Sequence, residues 1–349
     1  MTGAAGPTLW ASEDLGWFAV TDAGTVGAVR RAAEALAREL DLPGERVAEL
    51  AIVSAELATN QLRYTTDGLV HLRTVRYSEA RGVELLAVDS GPGMADLTVS
   101  TRDGHSTSGS LGIGMGAIRR LATRLDAYSR VGPGTVLSAS VWSQPPPPSL
   151  ADGLTRPISG ETVSGDSYAV RVHGGRVQAM LCDGLGHGPL AAGAAQAAVA
   201  AFRTAPSGGP RPVLEHLHGG LARTRGAVVA VAELDPDVVR FAGLGNISAW
   251  VAGPSGRRAM TCLPGIVGHQ RGGIREFTYP LPPDAVVVMH TDGLTDRWAL
   301  TGYPGLLDHR PLLVAATLLR DAGLRRDDAG VLVVRPPSAA AAPGSGTDG

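Results

Sequence analysis

The stretch Ser143-Gln144-Pro145-Pro146-Pro147-Pro148-Ser149 constrains this chain more than any other. Four consecutive prolines carry no amide protons, so they cannot continue a helix or a central strand. They favour extended polyproline II and make a stiff connector. At 349 residues the length suits about two domains, and the run splits the chain into two parts with enough apolar residues for a core each. We read residues 144–156 as linker. Residues 1–9 lack the basic-then-apolar pattern of a leader and are expected to be disordered, as is the Ala, Pro, Gly and Ser tail over 337–349.

The formal charge of −2 gives no electrostatic reason to expect nucleic acid or an anionic membrane as partner. All 31 basic residues are arginine, so no lysine is available for catalysis. Cys182 and Cys262 do not make a disulfide framework, which fits a reducing cytoplasm. No apolar run is long enough to span a bilayer. The Ala-rich stretch 191–202 is too short and is interrupted by Gln196.

In the first part, Val29, Ala33, Leu36 and Leu40 recur at the spacing of one helix face, and Leu42-Pro43-Gly44 ends that helix. A second helix over about residues 45–63 has Leu50, Val53 and Leu57 as its apolar stripe. Glu56 and Asn60 are i, i+4 neighbours beside that stripe. They are either a solvated edge or a carboxylate and an amide held together to meet a metal and its ligand. Residues 82–88 read as a strand that ends in Asp89-Ser90-Gly91-Pro92-Gly93, a carboxylate aimed into a cleft by a glycine turn. Two glycine-rich stretches follow, residues 104–109 and 112–116. A helix then has Ala117, Leu121 and Leu125 as its buried face. Glycines let backbone amides approach phosphates, and a helix N-terminus adds partial positive charge. The stretch follows no strand directly and lacks a Walker lysine, so it is neither a P-loop nor a Rossmann turn.

Together these residues resemble the GHKL ATPase superfamily, with its Bergerat fold, and within it the anti-sigma-factor and switch-kinase branch of RsbW and RsbT type. The resemblance covers residues 10–143. Glu56-Leu57-Ala58-Thr59-Asn60 is similar to the N box, which implies Glu56 as general base or water-orienting group and Asn60 as holder of Mg²⁺. Asp89 to Gly93 is similar to the box whose Asp accepts the adenine amino group, with Gly91 and Gly93 in its turn. Gly104, Ser106, Thr107, Gly109, Gly112, Gly114 and Gly116 fall in the phosphate lid, and Gly132-Pro133-Gly134-Thr135 on the closing box, which puts Thr135 at the nucleotide. The implied cofactor is ATP with Mg²⁺. Ser110 departs from the branch, which often has Gly there, and Ala122-Thr123 replaces its usual apolar–acidic pair.

In the second part, Ser164-Gly165-Asp166 leads into a strand, and Gly174-Gly175 reads as a hairpin turn. A buried strand over 177–182 delivers Asp183-Gly184-Leu185-Gly186-His187-Gly188, and an Ala-rich helix follows. Another buried strand, 285–290, delivers Thr291-Asp292-Gly293-Leu294-Thr295-Asp296. Asp327-Asp328 precedes a last strand over 331–335. A lone Asp at a strand end is commonly a turn residue. Several that converge repel one another unless cations neutralise them. Oxygen ligands suit Mg²⁺ or Mn²⁺, and no Cys or His cluster points to zinc. His187 either caps the next helix or reaches the site, and His290 reads as a core histidine.

This pattern resembles the PPM family of metal-dependent serine/threonine phosphatases, in its SpoIIE and RsbX branch, over residues 157–336. The resemblance implies two Mn²⁺ or Mg²⁺ ions, bridged by Asp183, with the Gly184 carbonyl, Asp292 and Asp327 completing the cage and Asp166 near the second metal. Gly243-Leu244-Gly245-Asn246 is similar to the family's Gly-Asn turn beneath the site. Gly330 stands where many members have Thr.

The expected architecture is α/β (α+β) in two domains: a Bergerat-fold sandwich with a mixed sheet and helices on one face, then an α-β-β-α sandwich of PPM type. The two resemblances imply a cytoplasmic, bifunctional regulator of partner switching in a sigma-factor or stress-response pathway. One half would transfer phosphate from ATP to Ser or Thr, and the other would hydrolyse phosphoserine or phosphothreonine without a covalent intermediate. The implied partners are STAS-domain proteins, as anti-sigma-factor antagonists or stressosome components, with a sigma factor as a further partner class. No nucleic acid or membrane is expected. The alternative is an anti-sigma or scaffold-binding protein whose first half binds ATP and acts by contact, with only the phosphatase catalytic.

Overall fold

The computed structural model describes residues 8–94, 113–269, 273–324 and 326–337. The chain forms two compact units, Trp10–Pro147 and a second that begins at Pro148, so the boundary falls inside the proline run.

In the first unit, helix α1 (Ala23–Glu39) starts at Asp22, whose carboxylate accepts from Thr25 N–H at 2.8 Å. Helix α2 (Gly44–Tyr64) follows after a short turn. Val29, Ala33, Leu36 and Ala37 of α1 and Leu50, Val53, Leu57 and Ala58 of α2 are buried. They pack on one face of a sheet made by β1 (Thr8–Ala19), β2 (Leu69–Tyr77), β3 (Ala80–Val88), β4 (Arg124–Arg130) and β5 (Gly134–Trp142). The order here is β1-β2-β3-β5-β4. Every one of these pairings is antiparallel, which corrects the expected mixed sheet. Helix α3 (Ile113–Leu121) is shorter than the sequence pattern implies. Leu125 lies in β4 rather than on the helix, because residues 124–130 pair along β5 and Thr123 Oγ1 accepts the Trp142 N–H at 3.0 Å. Thr8 and Leu9, expected to be disordered, open β1.

The opposite face of this sheet is polar yet buried. Arg73 and Glu84 sit across from each other on β2 and β3, 1% and 3% exposed, with Arg73 Nη2 2.5 Å from Glu84 Oε2. Ser138 Oγ donates to the other Glu84 oxygen at 2.7 Å.

The second unit stacks two antiparallel sheets. One runs β13-β10-β9-β8-β7, from β7 (Asp166–His173), β8 (Arg176–Gly184), β9 (Ala227–Leu234), β10 (Val238–Leu244) and β13 (Phe277–Pro280). The other runs β12-β11-β14-β15-β6, from β6 (Ala151–Arg156), β11 (Ser248–Gly253), β12 (Gly256–Met260), β14 (Val286–His290) and β15 (Ala329–Val334). Val177, Leu181, Phe241, Val287, Met289 and Leu332 lie among the residues of the core between them. Helices α4 (Pro189–Thr204) and α5 (Pro210–Gly220) cover the first sheet through Phe202, Val213 and Leu217. Helix α6 (Pro311–Ala322) lies along β15 and β6 of the second. Gly174 and Gly175, at φ 58° and 78°, form the turn between β7 and β8, a conformation that two glycines adopt without strain.

Strand β6 corrects the linker boundary. Residues 151–156 pair antiparallel with β15 from Ala151↔Val334 to Arg156↔Ala329, so the connector stops before Ala151. The proline run itself is tied back to the first unit, since Arg124 Nη2 donates to the Pro146 carbonyl.

Breaking a buried ion pair on one side strands a charge, at a cost of about 3–5 kcal/mol. Arg73→Met should therefore lower the urea midpoint of the first domain markedly, and Arg73→Met/Glu84→Leu should recover most of the loss. Equal midpoints for parent and single variant would show that the pair does not hold the sheet.

Candidate functional site

In the first domain, β3 ends at Val88, held between Leu69 and Val136. The next residue, Asp89, is 8% exposed and is fixed on both sides. Its N–H donates to Thr135 C=O at 3.0 Å. Its Oδ1 accepts the Gly91 and Thr135 N–H groups at 2.9 and 3.2 Å. Its Oδ2 accepts from Gln61 Nε2 at 3.2 Å. Gly134, at φ 103°, permits this close approach, because a Cβ there would lie 2.2 Å from the Asp89 carbonyl oxygen. Gly93, at φ 67°, is likewise pressed against the Arg130 carbonyl.

Gln61 follows Asn60 on α2, so the helix that carries Glu56 and Asn60 also holds Asp89. Glu56 and Asn60 are half-buried. The first turn of α3 meets them: a Cβ on Gly114 would lie 2.6 Å from Glu56 Oε2 and 3.7 Å from Asn60 Oδ1. Gly116 is buried in the same helix. The structure thus brings Glu56, Asn60 and Gly114 into one cluster and Asp89, Gly91 and Thr135 into an adjoining one. Gly104, Ser106, Thr107, Gly109 and Gly112 lie outside the described residues. Gln61 was missed in the sequence, since a glutamine on a helix says nothing of what its amide meets.

In the second domain, the β7–β8 ladder sets Asp166 directly opposite Asp183. Asp166 is buried. Its Oδ2 accepts from Thr291 Oγ1 at 2.7 Å, and its Oδ1 is buried with no hydrogen-bond partner among the described residues. Burial and the Asp183 carboxylate push its pKa well above the usual range. Burial, with Asp292, Asp327 and Asp328 nearby, pushes Asp183 up to about 7. Asp292 is raised by burial and by Asp327, while Asn246 Nδ2 donates to its Oδ2 at 2.8 Å. Asp327 is exposed at the rim. Gly184 donates its N–H to Gly165 C=O at 3.0 Å, and α4 packs so close that a Cβ on Gly184 would lie 2.3 Å from the Ala191 carbonyl oxygen.

Asp328 is the neighbour the sequence reading passed over. It is 3% exposed, and its two oxygens accept the Ile158 and Gly165 N–H groups, each at 2.7 Å. Both oxygens are thereby engaged in holding the loop that delivers Asp166. His187 is exposed, with Nδ1 3.2 Å from Glu161 Oε1. His290 is a core residue, as expected: Nδ1 donates to Thr291 C=O at 2.9 Å and Nε2 accepts from Trp298 Nε1 at 3.3 Å.

Among the described residues, no three His, Cys, Asp or Glu side chains already close on a common ion position. The donors fit hard divalent cations: they are all oxygens, one of them is a buried carboxylate oxygen unpartnered among the described residues, and burial together with neighbouring carboxylates raises the pKa of Asp166, Asp183 and Asp292.

Residues 19–141 match the family model of the histidine kinase-like ATPase domain, and residues 173–337 that of stage II sporulation protein E (SpoIIE). The chain belongs to the histidine kinase-like ATPase family through its first domain and carries a SpoIIE domain behind it. These domain types imply the use of a nucleotide and of divalent metal. A curated relative, the serine/threonine-protein kinase RsbT of Bacillus subtilis (strain 168), is 32% identical over 115 residues, which is 33% of this chain and 86% of that protein. A solved chain described with the bacterial stressosome is 28% identical at a TM-score of 0.49 and covers 53% of this chain and 98% of its own. A solved RsbX in complex with magnesium is 18% identical at a TM-score of 0.44, covering 52% and 92%. Among the described residues no helix is long and apolar enough to cross a membrane.

The raised pKa of Asp183 has a definite consequence for stability. In the metal-free protein its contribution is full below the unfolded value of 3.8 and is lost as pH rises through about 7. With EDTA present, Asp183→Asn should be more stable than the parent at pH 8, and the advantage should shrink toward pH 5. Mg²⁺ should stabilise the parent and not the variant. A difference in urea midpoint that is constant with pH would refute this account.

Proposed function

We propose that the chain is a partner-switching regulator with two opposed activities on one class of protein. The first domain moves the γ-phosphate of ATP to a Ser or Thr of a STAS-domain partner, and the second removes it. The observation that carries this reading is the joining, in one chain, of the Glu56–Asn60–Asp89 cradle to the Asp166–Asp183–Asp292–Asp327 cluster. The RsbT relative supports the kinase half, and the SpoIIE match supports the phosphatase half.

In the first domain, Asp89 would receive the adenine amino group and Asn60 would help hold the Mg²⁺ that accompanies the phosphates. Glu56, one helical turn away, orients the attacking hydroxyl. The α3 N-terminus with Gly114 and Gly116 directs backbone N–H groups at the phosphates. In the second domain, Asp183, the Gly184 carbonyl, Asp292, Asp327 and Asp166 would hold the divalent cations. Divalent cations held there would supply Lewis-acid chemistry and neutralise charge on the phosphoryl oxygens. Thr291 and Asn246 keep Asp166 and Asp292 in place through the hydrogen bonds described above.

Residues 143–150 are all that joins β5 to β6. A partner still held by one domain is presented to the other at an effective concentration on the order of millimolar. Such a tether matters where the product of one site is the substrate of the other.

Asp89→Ala leaves adenine without its buried acceptor, and the ATP dissociation constant in a titration calorimeter should rise about 100-fold or more. An unchanged value would sink the nucleotide assignment. The partner assignment is tested with γ-labelled ATP, Mg²⁺ and a STAS-domain protein from the same organism. With Asp183→Ala, which removes a carboxylate from the cluster, label should accumulate on the partner. With the parent chain it should then be released as inorganic phosphate. Absence of label on every STAS-domain protein offered, with ATP still bound, would favour a first domain that acts by contact.

A further inference from the structure

We propose that Arg225 binds the phosphoryl group of the substrate in the second domain, an inference that rests on the phosphatase reading above and adds a substrate-binding residue to it. The β8–β9 ladder pairs Asp183 with Val228 and Gly184 with Ala227. Continued past the strand ends, the same antiparallel register sets Arg225 opposite Gly186. The backbone keeps to that register, since Leu185 N–H donates to Gly226 C=O at 3.1 Å. A Cβ built on Gly186 would lie 3.3 Å from Arg225 Nη1. The guanidinium therefore stands over the turn that begins with Asp183 and Gly184.

The main chain around Arg225 is firmly held. Thr224 Oγ1 donates to Leu221 C=O at 2.9 Å and accepts the Gly226 N–H at 3.0 Å, and His269 Nε2 lies 3.0 Å from the Thr224 carbonyl oxygen. Gly226, at φ 80°, is packed so tightly that a Cβ would lie 2.7 Å from the His269 ring and 2.9 Å from the Val267 carbonyl oxygen. The Arg225 side chain, in contrast, is exposed and makes no hydrogen bond or ion pair among the described residues. Arginines that serve the fold here are engaged. Arg171 donates to Gln178, Phe202 and Ala205, and Arg240 pairs with Glu233 and Asp235.

A rigid loop that presents an unengaged guanidinium over the turn following Asp183 and Gly184 suits a dianion. The protein side chains of the cluster are acidic, so a phosphomonoester approaching it is repelled except by the cations and by a nearby fixed positive charge. A guanidinium also offers two parallel N–H donors that match two oxygens of one phosphoryl group. Gly186 leaves the space between guanidinium and turn open, where any side chain would fill it.

The test uses the full chain with Mg²⁺ or Mn²⁺ and compares the parent with Arg225→Ala and Arg225→Lys. Inorganic phosphate is titrated calorimetrically, and an aryl phosphate is the substrate for kinetics. Loss of a charge-assisted bond should weaken phosphate binding and raise KM by roughly ten- to a hundredfold. The change in kcat should be smaller, Arg225→Lys should recover part of the loss, and metal binding and melting temperature should hold. Phosphate affinity and KM within twofold of the parent would overturn the assignment. So would a defect confined to phosphoprotein substrates, which would make Arg225 a reader of the partner's surface. A parent chain that neither binds phosphate with metal nor hydrolyses the aryl phosphate would instead overturn the phosphatase reading itself.

Discussion

Carboxylates brought together in a poorly solvated pocket repel one another, and the second domain depends on how that repulsion is contained. The β7–β8 ladder fixes Asp166 opposite Asp183 by main-chain pairing. Asp328 uses both oxygens to anchor Ile158 and Gly165, Thr291 donates to Asp166, and Asn246 donates to Asp292. The positions of the acids are thus set by hydrogen bonds from neutral groups, while burial and the neighbouring carboxylates raise the pKa values of Asp166, Asp183 and Asp292. Close packing supports the arrangement. Gly293 lies so near the Asp328 carbonyl that any side chain would overlap it, and Gly184 stands in the same relation to Ala191.

The first domain solves a different problem with similar means. A single buried carboxylate, Asp89, accepts two main-chain N–H groups and one side-chain amide, which hold its orientation at the end of β3. The amide comes from Gln61, so α2 carries Glu56 and Asn60 on one stretch and steadies Asp89 with the next residue. One rigid helix therefore sets the spacing between Glu56, Asn60 and the Gln61 amide that holds Asp89, and that spacing is a property of the helix rather than of any loop.

Much of this was legible in the chain itself. Apolar spacing located α1 and α2, and the strand runs before Asp89, Asp183 and Asp292 placed each acid at a strand end. The errors arose where pairing overrode local pattern. Leu125 continues a helical spacing from Ala117 and Leu121, yet β5 offers a neighbouring strand and the segment pairs with it. Residues 151–156 follow a proline run and read as linker, yet β15 presents an open edge and they complete the sheet. Strand pairing between residues far apart in sequence leaves little trace in either partner alone.

Residue types and their order determined which chemistry this chain can support: a helical Glu-x-x-x-Asn, a strand-end Asp before a glycine turn, and further strand-end acids with no sulfur or imidazole cluster. What only the tertiary structure decided is which of those groups act together. Asp327 and Asp328 are adjacent in sequence, yet one stands exposed at the rim and the other is buried with both oxygens engaged. Gln61 meets Asp89 across 28 residues, and Arg225 faces Gly186 because a ladder register carries past the ends of two strands. Those meetings depend on sheet register and on helix rotation, which the whole core fixes at once. No short stretch of sequence encodes them.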